Sequence, residues 1–101
     1  MENKDCNNKS KLDELRVKID EIDEKMRELF LQRLNVVKDV ALEKMTNNLP
    51  IENIEREKHM IEEHLNNIED LHKDKYLTFL QNVLKISKDY QKELFKNKDE
   101  C

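Results

Sequence analysis

Two cations interrupt the apolar stripe of a predicted helix in residues 29–45, LFLQRLNVVKDVALEKM. Arg33 and Lys44 are eleven residues apart, which is about three helical turns plus roughly 20°, so both lie on the face where the pattern predicts Leu or Val. An unpaired cation is costly to bury. The two residues therefore predict a local site for negative charge.

Polar residues also lie on the apolar faces of two further predicted helices. Glu57 precedes Ile61 by one turn and has Arg56 beside it, and Ser87 and Gln91 are one turn apart. Each of the three helices thus turns polar along part of its buried side. We interpret these polar positions as one candidate site.

The charges of this candidate site do not balance. In a purely structural interpretation, Glu57 neutralises Arg33 or Lys44, and the polar residues of the third helix complete an internal network. One carboxylate cannot match these two cations and the flanking Arg56, and the stripes offer no second acid. The surplus positive charge favours a small anionic ligand with more than one carboxylate.

The residue types exclude several kinds of catalysis. Ser87 has no His at the spacing of a general base, no Cys is placed as a nucleophile, and no Gly-rich loop could bind phosphate. His59 and Glu62 could share a helix face, but no second His joins them, so we predict no metal site. An enzyme built on this site would work by orientation and charge stabilisation.

A capping signal opens the first predicted helix, where Ser10 is followed three residues later by Asp13. The helix should end near residues 46–48, before Pro50. Its stripe recurs in steps of three and four residues. The stripe positions are Leu12, Leu15, Ile19, Ile22, Met26 and Leu29, then Arg33, Val36 or Val37, Val40 and Lys44.

Two shorter helices are predicted to follow. The second begins near Pro50 or Ile51 and ends in the polar loop NNIEDLHKD at residues 66–74, and the third runs from about Tyr76 to Phe95. Their stripes keep the helical spacing. The stripe positions are Ile54, Ile61, Leu65 and Ile68 in the second helix, and Leu77, Leu80, Leu84, Ser87, Gln91 and Leu94 in the third.

The composition predicts a single all-α domain of three helices with a very long first helix. The 101 residues include no Gly, one Pro and 42% charged residues, which disfavours a β-rich fold. The net charge of −4 gives no general attraction for nucleic acid. We find neither an apolar run long enough to span a membrane nor a signal peptide, so we expect a cytoplasmic protein.

The length of the first helix predicts a homodimer. About 37 residues at ~1.5 Å each form a rod of roughly 55 Å, whereas a compact domain of this size is about 33 Å across. The stripe is apolar along nearly the whole rod. Part of this apolar stripe therefore extends beyond a compact domain, and a second copy of the chain is the simplest way to bury it.

In residues 12–95 the chain resembles the all-helical AroQ class of chorismate mutases. The resemblance rests on LDELRVKIDEID, LQRLNVVKDVALEK, the spaced segment PIENIERE, and SKDYQ, in this order and at the separations of the family. It assigns a type II chorismate mutase domain to residues 10–96, with a disordered tail at residues 1–9 and a second tail at residues 97–101.

The resemblance implies a fold, a reaction and a partner. The family forms an intertwined homodimeric helical bundle and rearranges chorismate, a dicarboxylate, to prephenate in phenylalanine and tyrosine biosynthesis on the shikimate pathway. The reaction needs no cofactor. Negative charge develops on the oxygen of the breaking ether bond, where fixed donors can stabilise it.

The resemblance implies four catalytic residues, which are Lys44, Gln91, Arg33 and Glu57. By position, Arg33 and Arg16 resemble the two clamps for the substrate carboxylates, and Arg16 would come from the other protomer. Lys44 and Gln91 resemble the donors to the ether oxygen. From the sequence pattern alone, Arg16 reads as a solvated helix residue.

The resemblance also implies roles in binding the substrate. Glu57 would accept the ring hydroxyl, Ser87 would support a carboxylate, and Arg56 would tune the field and hold Glu57. Asn53 departs from the family, whose well-known members carry Asp there. A backbone contact at this position would tolerate Asn, and a simple helix cap is the alternative interpretation.

Two other functions fit the same sequence. Isochorismate-pyruvate lyases share the fold and much of the site, although Glu57 suits the ring hydroxyl of chorismate. A non-catalytic helical dimerisation module is the second alternative. That function would not explain why the apolar stripes carry the polar residues Arg33, Lys44, Ser87 and Gln91.

Overall fold

The computed structural model describes residues 10–100, with side chains described up to residue 96. Within this range the protein is all-α, and its very long first helix is confirmed. The predicted tail at residues 1–9 and both cysteines lie outside the described residues. The elements are α1 (Lys11–Thr46), α2 (Ile54–Asn66), a 3₁₀ turn (Asp70–His72) and α3 (Lys73–Glu100).

Both ends of α1 are capped. At its start, Ser10 Oγ accepts a hydrogen bond from the backbone N–H of Asp13 at 3.0 Å, as the sequence predicts. At its end, Asn48 adopts a φ of 56°, and the N–H of Leu49 donates to the carbonyl of Lys44 at 2.8 Å. This is the Schellman pattern, with Asn in the left-handed position that Gly usually fills. It ends α1 and reverses the chain next to Lys44.

The second helix, α2, begins three residues later than the predicted start at Ile51. Asn53 is its N-cap, and the side-chain oxygen accepts a hydrogen bond from the backbone N–H of Arg56 at 3.1 Å. The prediction from Pro50 is wrong because the reversal at residues 48–49 comes first and Asn53 is the next good capping residue. The interpretation of Asn53 as a helix cap is thereby confirmed.

The third helix, α3, extends beyond both predicted ends. It starts at Lys73, directly after the 3₁₀ turn, so part of the predicted polar loop at residues 66–74 is helical. At the other end its backbone continues to Glu100, past the predicted boundary at Phe95. Polar residues do not by themselves end a helix, and neither Gly nor Pro occurs in this segment.

The chain divides into two compact units, residues 1–33 and residues 34–101. The described part of the first unit is the N-terminal portion of α1, and its predicted apolar stripe is exposed. Fractional exposures range from 42% at Leu15 to 62% at Leu29. This unit therefore presents an apolar face that its own residues do not cover.

The second unit contains the buried core. Here α2 packs against α3, and Val37, Ala41 and Leu80 are buried. Val37 rather than Val36 continues the stripe of α1. The next buried position is Ala41, one turn further, whereas the predicted Val40 is exposed.

The stripe of α3 turns polar where the sequence predicts it. Ser87 and Gln91 are each only 6% exposed, and they are the buried polar residues among the side chains described. No helix in the described part of the chain is long and apolar enough to cross a membrane.

Candidate functional site

Lys44 and Gln91 form the centre of the candidate site in the second unit. The Lys44 ammonium donates a hydrogen bond to Gln91 Oε1 at 2.9 Å and another to the carbonyl of Ile51. The reversal at the end of α1 brings that carbonyl back to Lys44, because the chain turns at Asn48. One side chain of α1 is thus fixed by α3 and by the connection to α2.

Partial burial changes the acid–base behaviour of Lys44. Loss of solvent lowers the pKa of its ammonium below the ordinary value, and the negative charge of Glu57 opposes this effect. The burial effect is the larger, so the fold tolerates this cation at a cost. Such a cation in a polar cleft is a typical feature of a functional site.

The contact with Lys44 also fixes the orientation of the Gln91 amide. An ammonium can only donate, so the amide oxygen must face it. The Gln91 Nε2 group then keeps its two hydrogens for another acceptor. Two of the three ammonium hydrogens of Lys44 are used within the described residues, which leaves one for a ligand.

Ser87 lies one turn before Gln91 on the same buried face. Its hydroxyl donates to the carbonyl of Val83, one turn back along α3, at 2.9 Å. To donate to a ligand the hydroxyl would rotate away from this carbonyl, which is an easy motion for a Ser side chain.

A second group of charges lies where α2 meets α3. Lys88 donates to Glu57 Oε1 at 3.3 Å and to Glu52 Oε2 at 3.1 Å. The ion pair that the structure describes for Glu57 is therefore the one with Lys88. Lys44 acts on Glu57 only as a nearby charge.

Sequence reasoning missed Lys88. It directly follows Ser87 and flanks the stripe of α3, where a Lys ordinarily reads as a solvated residue. Glu52 first and then Glu57 raise the pKa of Lys88 by accepting its hydrogen bonds. The sequence does place Lys88 three residues before Gln91. It does not indicate which carboxylates Lys88 contacts.

The remaining predicted residues lie at the edges of the site or in the other unit. Arg56 is exposed at the start of α2, and Asn53 and Lys44 line one surface cleft between α1 and α2. In the first unit Arg33 is partly buried. The Arg16 side chain is 66% exposed, at 3.8 Å from Asp13.

The described residues contain no group of three or more His, Cys, Asp or Glu side chains that could hold a metal ion. What the site offers instead is hydrogen-bond donors and fixed charge. The predicted independence from metals and cofactors stays a prediction.

Comparison with known proteins gave a family match and a curated relative. A family model described as chorismate mutase type II matches residues 15–92. The chorismate mutase of Methanocaldococcus jannaschii is 48% identical over 50 residues, which are 50% of this chain and 50% of the relative. The chain thus matches about half the length of that relative. No solved structure matches the chain.

Proposed function

The chain belongs to the chorismate mutase type II family, and we propose that it rearranges chorismate to prephenate in aromatic amino acid biosynthesis. The observation that carries this proposal is the contact between Lys44 and Gln91 at 2.9 Å. Two polar side chains from different helices converge there on the buried side of the protein, with donors left for a ligand.

The proposed mechanism is electrostatic. As the ether bond of chorismate breaks, negative charge develops on its oxygen. The remaining hydrogen of the Lys44 ammonium and the Nε2 hydrogens of Gln91 donate to this oxygen. Because both groups are fixed before the substrate arrives, no reorganisation is required during the reaction, and such a donor typically contributes about 10²–10³ in rate.

Glu57 and Ser87 would orient the substrate. Glu57 Oε1 accepts from Lys88, so Oε2 can accept the ring hydroxyl of chorismate. Ser87 would support one substrate carboxylate after its hydroxyl turns from Val83. Holding the flexible side arm over the ring brings the reacting carbons together, which converts binding energy into rate.

The arginines would clamp the two carboxylates. We assign one clamp to Arg33 and the other to Arg16 of a second copy of the chain, with Arg56 tuning the field and Asn53 contributing at the start of α2. Bidentate guanidinium–carboxylate contacts fit this role. The exposed position of Arg16 leaves its guanidinium accessible to another protomer.

The enzyme would act as an intertwined homodimer. Support comes from the exposed stripe of the first unit, where Ile19, Ile22 and Met26 are each more than half exposed. A soluble chain rarely leaves such a contiguous apolar face uncovered. A second copy would cover it with the same face, as two-fold symmetry requires.

An assay of the purified chain with chorismate tests the proposal. We expect loss of chorismate absorbance and prephenate as the product. Release of pyruvate and salicylate from isochorismate, with no turnover of chorismate, would instead identify a lyase. If a folded dimer turns over neither substrate, the result would favour the non-catalytic dimerisation module.

A further inference from the structure

The Lys88 ammonium lies between two carboxylates from different parts of the chain. Glu52 precedes the N-cap of α2, Glu57 lies in the first turns of α2, and Lys88 belongs to α3. The distances are 3.1 Å to Glu52 Oε2 and 3.3 Å to Glu57 Oε1. This group therefore links α3 to the start of α2.

The group is unlike an ordinary surface ion pair. The side chains of Lys88 and Glu57 are 26% and 21% exposed, whereas the pair Lys85–Asp89 on one exposed face of α3 is 72% and 49% exposed. Exposed pairs contribute little, because solvent screens them and both side chains lose rotamer freedom. A partly buried carboxylate with a fixed partner is held more firmly.

Lys88 occupies only one oxygen of Glu57. A free Glu side chain must lose rotamer freedom when it accepts a substrate hydroxyl, and that loss weakens binding. With Oε1 already held, Oε2 is oriented before the substrate binds. Glu52 accepts a second hydrogen of the same ammonium and so restrains Lys88 itself.

We propose that Lys88 is a positioning residue, which holds the Glu57 carboxylate in place for the ring hydroxyl of the substrate while Glu52 anchors Lys88. This inference rests on the proposed function, since it assigns a role within the same site. Lys88 does not contact the reacting atoms. Its contribution is to binding, and it acts entirely through Glu57.

The test is a set of steady-state measurements on the full chain with chorismate. Lys88→Met should raise KM about fivefold to tenfold, the range expected for coupling between contacting charged residues, with kcat changed less than about twofold. Lys88→Arg should restore most of the loss because it keeps the charge. Lys85→Met, which breaks the exposed pair, should behave as wild type.

A double-mutant cycle separates positioning from a general structural role. In a Glu57→Ala background, Lys88→Met should have almost no further effect on KM, because the side chain that Lys88 positions has been removed. An undiminished effect in that background would overturn the proposal, as would wild-type KM in the single Lys88→Met variant. Should Lys88→Met not fold, Lys88→Gln gives the same cycle with the same two outcomes.

The outcome for the proposed function is read separately. Failure of the wild-type chain to turn over chorismate overturns the proposed function and, with it, the role of Lys88. An active wild-type enzyme with Lys88→Met equal to Lys85→Met overturns the positioning role alone.

Discussion

The two ends of α1 share one sequence pattern but differ in burial. Near the end of the helix, Val37 and Ala41 are 8% and 0% exposed, whereas Ile22 and Leu29 nearer its start are 55% and 62% exposed. The periodicity is the same at both ends. The periodicity therefore predicts which face of the helix is apolar, but it does not say whether residues of the same chain cover that face.

The largest expected effect comes from placing a charge on the exposed stripe. Ile22→Asp should be harmless in a monomer, where this residue is on the surface. In a dimer it buries an unpaired carboxylate, so we expect a monomer or unfolded chain and complete loss of activity. Sedimentation at micromolar concentration is the measurement.

Val17→Asp is the matched control for this experiment. Val17 is also exposed, at 42%, but it lies five residues from Ile22 and about 140° around the helix. We expect it to leave the dimer intact. A wild-type chain that sediments as a folded monomer would contradict the proposed architecture.

In the buried end of α1, Lys44→Met should cause the largest loss of turnover. Met keeps the apolar stem and removes only the ammonium. Because the lost donor acts on developing charge, we expect the rate with chorismate to fall by at least roughly a hundredfold. Lys75→Met, at an exposed position of α3, is the control and should retain full activity.

The same Lys44 variant should remain nearly as stable as wild type. Burial lowers the pKa of Lys44, so between that lowered value and 10.5 the unfolded chain binds more protons, and stability rises with pH. At neutral pH the charged Lys44 side chain therefore lowers the free energy of unfolding. Met removes this cost. Because Lys44 is only half-buried, water can take its place as the donor to the Ile51 carbonyl and to the Gln91 amide oxygen. A thermal melt showing severe destabilisation would identify Lys44 as a structural cation.

Complementation between two inactive variants would test whether the two ends of α1 serve one site. Arg16→Ala and Arg33→Ala should each be severely impaired alone. After subunit exchange, half of the dimers are mixed and one of their two sites is intact, so activity should recover to about a quarter of wild type. Proven exchange without recovery would show that Arg16 does not act across the dimer.

Gln91→Glu should change how activity depends on pH. At neutral pH an ionised carboxylate can accept from Lys44 but cannot donate to the ether oxygen. We therefore expect weak activity at neutral pH that rises toward acid, where the carboxyl becomes a donor. Wild type should show no such rise, because an amide donates at every pH. Identical pH profiles of the two proteins would remove Gln91 from the site.

The parts of the fold that are determined by local sequence signals were predictable. Ser10 and the stripe fix the start and course of α1. The start of α2 was missed because Asn48 adopts a left-handed conformation, which sequence indicates far more weakly for Asn than for Gly. The reversal then shifts the helix start to Asn53.

The site was predictable where polar residues interrupt a stripe. Ser87 and Gln91 stand out because a polar residue at a core position needs a reason. Lys88 does not stand out, since Lys beside a stripe is ordinary. Its partners are 31 and 36 residues away, and only the packing of α2 on α3 brings them together. Arg16 was assigned by family resemblance, because its local pattern is that of a solvated residue.

The smallest expected effect is at Asn53, where the family's well-known members carry Asp. Asp caps a helix as well as Asn does, and its charge suits the N-terminus of α2. Asn53→Asp should therefore preserve stability and keep turnover within a few-fold of wild type.

Asn53→Ala is the matched variant, because it removes the acceptor for the Arg56 N–H. It should lower the free energy of unfolding by about 1 kcal/mol, which is roughly 4–8 °C in Tm for a domain of this size. Melting curves and chorismate turnover of the two variants separate capping from substrate contact. A large gain in turnover for Asn53→Asp alone would mean that the side chain, and not only the backbone, contacts the substrate.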